Sequence, residues 1–329
     1  MLKPICHTLA TSMTILAIFI PVANAADVFI QPDIFPQPQD NSFSFSGSIG
    51  ILALEAKEYV FDGTGSSNTL SLLTWQSTAP LLKLGFNANF YEGWTIAAKS
   101  QIAMSGNSYM DDFDWLLPFR PGFASNEWTD RSIHEDTNLD WFFNSSIALG
   151  KNIDMGNGFS INLNAGAKYT DVQWAARGGD YVYSTAGFRD SSGSFADTAG
   201  ISYRQQLPSA FVGLDTKFVK GDITFDLGAQ AGMTFLASAT DWHWMRTPPL
   251  RFVENVNPAP TLAATGGVSY KVHNDIDIFF EGSVEKIFFG RSDTTVYNND
   301  TNANLGFFND SSGAELLSAS ASFGLRGKF

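Results

Sequence analysis

Asp112-Phe113-Asp114 and Asp241-Trp242-His243 each set two polar, proton-handling side chains two residues apart. On an extended strand, residues i and i+2 share a face, so each pair projects from one side of its strand. Two carboxylates opposite an Asp/His pair form a plausible hydrolytic site. Imidazole titrates near neutrality and can take a proton from water, while an adjacent carboxylate orients the ring and stabilises its protonated form. A second carboxylate pair held close would share a proton or hold the same water. Other readings stand beside this one. Aspartates in loops commonly belong to solvated turns. Clustered oxygens also suit calcium or manganese, although His243 is a poor calcium ligand and no spaced acidic loop accompanies it. A serine-type reading pairs Ser132 with His134 or His243, but Ser132 is expected in a long loop with no nucleophile elbow. His134 reads as a loop-ordering residue standing behind the site, and His273 as a solvated residue on a turn.

The elements that must carry these residues are strands. In the last segment, Leu317, Ala319, Ala321, Phe323, Leu325, Gly327 and Phe329 alternate with Ser318, Ser320, Ser322, Gly324, Arg326 and Lys328. That is one apolar and one polar face, as on a strand between lipid and a lumen. The same period of two runs through Leu82 to Phe90 and through Phe159 to Tyr169. Turn signals divide the chain into about ten strands, at roughly 42–59, 71–90, 93–109, 136–151, 158–175, 200–219, 222–241, 261–274, 275–290 and 313–329. Short turns fall near Glu92-Gly93, Asn152 to Gly158, Lys220-Gly221 and Asn274. Long polar connections are expected at about 60–70, 110–135, 176–199, 242–260 and 291–312. Long loops on one side and tight turns on the other are the asymmetry of an outer-membrane barrel. The Asp pair and the Asp/His pair then end strands that run in the same direction, so both reach one rim. Strands of this length exceed the ~9–11 residues that cross a bilayer and should lift that rim above the lipid.

Composition agrees. Charged residues are 16% of the 329-residue chain and aromatics 14%, with 29 Phe, which is unusual for a soluble enzyme and suits a barrel that meets lipid on alternate residues. The run Met13 to Val22 is too short to span a bilayer, and Ala23-Asn24-Ala25 supplies a small-x-small cleavage pattern. Residues 1–25 therefore read as a secretory signal, 26–41 as a lead-in and 42–329 as the barrel. The single cysteine, Cys6, lies in the signal, so neither a lipoprotein nor a disulfide scaffold fits. A net charge of −13 argues against nucleic acid as a partner and favours cationic peptides.

Several blocks together resemble the omptin family of outer-membrane proteases. They are Met110 to Trp115, Trp128 to Thr137, Ala176 to Ser184, Gly187 to Asp190, Tyr203-Arg204-Gln205 and Asp241 to His243. The resemblance implies a ten-stranded transmembrane β-barrel with an extracellular protease groove in a Gram-negative outer membrane. It implies an endopeptidase without cofactor or metal, acting on extracellular, cationic polypeptides. Asp112 and Asp114 would form the acidic pair and Asp241 with His243 the dyad, with Glu58, Met110 and Ile201 binding substrate. The family holds basic side chains with a glutamate, matched by Glu58, and an acid two positions before the dyad aspartate, where Ala239 stands. A basic residue should therefore be preferred and not demanded. A family cluster that grips lipopolysaccharide phosphates, with two arginines, maps onto Ala167, Tyr169, Asp171 and Gln206. Carboxylate in place of arginine repels phosphate, so dependence on lipopolysaccharide is not expected to carry over. The rival class is a non-enzymatic barrel, an adhesin or narrow pore.

Overall fold

The computed structural model describes residues 42–329; the expected signal and lead-in lie outside them. Fifteen strands form one antiparallel sheet: β1 (Ser42–Phe61), β2 (Thr69–Phe90), β3 (Trp94–Ala103), β4 (Asn107–Asp114), β5 (Asp130–Asp154), β6 (Phe159–Arg177), β7 (Asp180–Tyr183), β8 (Ser191–Ser194), β9 (Ala199–Lys220), β10 (Ile223–Thr234), β11 (Ala237–His243), β12 (Leu250–Val256), β13 (Pro260–His273), β14 (Ile276–Asn298) and β15 (Asn304–Lys328). β3 with β4, β10 with β11, and β12 with β13 each make one interrupted stave, and β7 with β8 is a separate hairpin. Ten staves remain, as the turn signals require. They close in a ring because β1 pairs with both β2 and β15, so that each of the ten staves is paired on both sides.

The period of two becomes an inside and an outside. Ile49, Ile51, Leu82, Leu84, Leu163 and Phe323 are exposed on the outer face, while their strand neighbours point inward. Phe329 closes the seam: its backbone exchanges hydrogen bonds with Phe43, and the two rings stack at 5.3 Å. At the level of the apolar band, ionic links cross the lumen. Lys83 on β2 reaches Glu281 on β14 at 3.1 Å, and Lys168 on β6 reaches Glu285 on β14 at 2.8 Å. Charges taken from water need such partners. Above them, Trp75 packs between Trp174 and Tyr203 with ring centroids 6.1 and 5.9 Å away, and Trp174 Nε1 donates to Ser77 Oγ at 2.7 Å. This aromatic layer is the floor of the site.

The tight turns fall where expected, but the long connections are shorter than expected. Much of 110–135 is strand, in β4 and the start of β5, and much of 242–260 is β12 and the end of β11. Ser132 and His134 therefore lie on β5, where a loop was expected. The polar residues that signalled loops are satisfied here by pairing between staves above the lipid.

Candidate active site

β4 and β11 deliver the two chemical pairs. Asp112 lies opposite Leu73 on β2 and Ser132 on β5, and Asp114 lies opposite Ser71 and Asp130. Asp241 lies between Tyr203 on β9 and Phe252 on β12, with His243 two residues further toward the rim. The i and i+2 spacing puts each pair on the inner face, above the aromatic floor.

Within the second pair, His243 Nε2 meets Asp241 Oδ2 at 2.5 Å. With Nε2 donating to the carboxylate, Nδ1 keeps the lone pair that can accept a proton from water. Phe252 stands edge-on to the imidazole with centroids 5.2 Å apart and fixes the plane of the ring. Asp241 is buried, which strengthens its hold on a protonated imidazole.

The first pair is held differently. Ser71 Oγ donates to Asp112 Oδ1 at 3.2 Å. Burial, and then the neighbouring Asp114 charge, push the Asp112 carboxyl well above the usual carboxylate range. Burial pushes Asp114 up to about 6, against the pull of Ser71, His243 and Arg246. Like charges held close cannot both ionise easily, so the pair gives up its protons less readily than two free carboxyls. Asp241 acts on Asp112 and His243 acts on Asp114; the two pairs face each other across the lumen.

Ser132 and His134 are brought together too: Ser132 Oγ lies 3.0 Å from His134 Nε2. Both are buried, and His134 stacks on Phe195 at 5.6 Å with rings 7° from parallel. Burial lowers the His134 pKa. Gly179 passes against this ring at φ +105°, where a Cβ would stand 2.7 Å from Nδ1, so only glycine fits there. His134 thus seats the loop that carries the β7–β8 hairpin.

Of the residues expected to bind substrate, Glu58 points inward and is 2% exposed, Met110 is fully buried beside Trp75 in register, and Ile201 is the partner of His243 on β9. Two residues were missed by sequence reasoning. Tyr183 feels both Asp112 and Asp114, and burial with those charges keeps its hydroxyl protonated. Glu254 on β12 lies directly opposite Ala239. The first carries no local signal, and the second was hidden in a stretch read as loop. Among the described residues, no group of three or more His, Cys, Asp or Glu side chains is arranged to hold a metal ion.

On the outer wall, Asp171 is clasped by Arg204 through contacts of 2.9 and 2.6 Å and receives Trp141 Nε1 at 3.0 Å. Gln206 donates to Tyr169 Oη at 2.8 Å. Of the positions onto which the family's phosphate-gripping cluster maps, Tyr169, Asp171 and Gln206 are thus engaged with one another.

A closed ring of ten long staves, apolar outside and carrying opposed acidic and Asp/His pairs within one rim, defines an outer-membrane β-barrel with a polar groove. The sequence model of the Omptin family matches residues 39–329, and the chain belongs to that family. The plasminogen activator of Yersinia pestis is 24% identical over 319 residues, covering 96% of this chain and 97% of its own. Protease 7 of Escherichia coli K12 is 25% identical over 261 residues, covering 78% and 80%. The outer membrane protease IcsP of Shigella flexneri is 25% identical over 293 residues, covering 85% and 88%. The crystal structure of the outer membrane protease OmpT from Escherichia coli superposes with a TM-score of 0.80 at 22% identity, over 90% of this chain and 99% of that one. The fold is the omptin barrel, and the protein belongs in a Gram-negative outer membrane.

Proposed function

We propose that this barrel is an endopeptidase that cleaves extracellular polypeptides next to basic residues, using water activated between Asp241/His243 and Asp112/Asp114. The observation that carries this reading is the 2.5 Å contact between His243 and Asp241, set opposite the buried Asp112/Asp114 carboxyl pair. Water between the pairs gives a proton to His243 Nδ1, and its oxygen adds to the scissile carbonyl carbon. Asp241 stabilises the imidazolium through Nε2. The leaving nitrogen takes a proton as the C–N bond breaks, from the imidazolium or from the Asp112/Asp114 pair, and no covalent enzyme intermediate forms. The names of the relatives support a protease. The Arg204 clasp on Asp171 supports a weak dependence on lipopolysaccharide, because neither group is free to meet phosphate.

The test is cleavage of a basic peptide by refolded barrel, with and without chelator. Activity should survive chelation and fall about 10²–10⁴-fold in His243→Ala, the range for a positioned general base, while the barrel keeps its heat-modifiable migration. Residual activity above a tenth of wild type would sink the assignment, and recovery of a chelated sample only on adding zinc or calcium would replace it with metal chemistry.

A further inference from the structure

Glu254 is a buried carboxyl group that the hydrolytic steps do not use. It is 1% exposed and sits opposite Ala239, two residues deeper in the barrel than Asp241 on the paired strand. Its Oε2 has no hydrogen-bond partner, and neither has Oε2 of Glu58 nor Oδ1 of Asp241. The charges that act on Glu58 are those of Asp241, Glu254 and Asp112, all carboxylates. Three buried acceptor oxygens without hydrogen-bond partners therefore stand close together, and the charges that bear on Glu58 among them are all acidic. Buried polar atoms left unpaired are costly, and such a site keeps them where a ligand completes the bonding.

We infer that Glu254 and Glu58 together form the acidic end of a pocket that takes the guanidinium of an arginine side chain next to the scissile bond. This rests on the endopeptidase reading above and names the group that sets its specificity. A guanidinium is planar and carries five N–H donors, so it can satisfy oxygens from two walls at once; a single ammonium point charge is a poorer match. Ala239 contributes only a methyl group, which leaves room between β11 and β12 for the carboxylate of Glu254. The acid that the family pattern places on β11 is supplied here from the neighbouring strand. Arginine selectivity should then be strong, contrary to the preference expected from Glu58 alone.

The experiment compares two peptides that differ only in arginine or its uncharged isostere citrulline before the scissile bond. The ratio of their kcat/KM values should fall tenfold or more in Glu254→Gln, since one hydrogen-bonded charge partner is lost. A ratio within twofold of wild type overturns the inference. Ala239→Lys is an independent variant: its ammonium would lie beside Glu254, occupy the pocket and reduce the same ratio. It decides the matter if Glu254→Gln does not refold, and an unchanged ratio there is equally fatal. Binding of the arginine peptide N-methylated at the scissile bond is measured alongside by calorimetry. If wild type cleaves neither peptide, the endopeptidase reading fails and binding alone judges the pocket. Tenfold weaker binding to Glu254→Gln supports it, and equal binding means that the two glutamates merely share a proton as a barrel strut.

Discussion

Glu254→Gln should also change how the empty barrel responds to pH, and the sign follows from its surroundings. Glu254 lies above the lipid-facing band. Burial, against the pull of the Ser312 hydroxyl and with a further push from Asp241, raises its carboxyl from 4.5 to about 8. Glu58, buried in the same space, is raised as well. In the unfolded chain these groups ionise near pH 4.5, so between that value and about 8 the folded state binds more protons. The stability associated with neutral Glu254 is full below pH 4.5 and is lost as pH rises toward 8. One such group contributes a slope of about 1.4 kcal/mol per pH unit, or up to about 4 kcal/mol between pH 5 and 8. Glutamine is nearly isosteric with the neutral acid and does not titrate. The variant should match wild type near pH 5 and become progressively more stable toward pH 8, with Glu58 relieved in the same direction. The assay is urea unfolding of refolded protein in micelles at four pH values, comparing midpoints at constant m. A difference between the two proteins that stays flat with pH would refute the placement of Glu254 as an uncompensated buried acid.

Ser132→Ala should cost activity only several-fold, because Ser132 braces His134 and the wall beside Asp112; near-complete loss in a folded variant would move the nucleophile to Ser132. Asp114, pushed up to about 6 by burial, should impose a rise in kcat/KM as pH increases through 6, since the carboxyl is neutral below and charged above. Asp114→Asn should remove that limb, and a limb that persists would assign it to another group.

Ala239→Asp looks from sequence like the restoration of a missing acid that would sharpen selectivity. The register changes that expectation, because the new carboxylate would stand directly opposite Glu254. Like charges facing across an antiparallel pair repel, so the substitution adds repulsion to a wall that already has its acid.

The sequence by itself determined the parts that depend on neighbours along the chain. Alternation at a period of two assigned lipid-facing residues such as Leu82 and Phe323, and turn residues divided the barrel into ten staves. The i and i+2 spacing was enough to pair Asp112 with Asp114 and Asp241 with His243, because strand geometry alone sets those side chains on one face. Loop lengths were misjudged, since polar residues at 110–135 and 242–260 satisfy strand pairing above the membrane as well as they satisfy turns. What only the tertiary structure decided is which strands' side chains meet across a seam or the lumen. Ser132 beside Asp112, Arg204 clasping Asp171, and above all Glu254 facing Ala239 depend on register between staves. Register is set by ring closure and interior packing, where a shift of one residue would send every side chain to the opposite face.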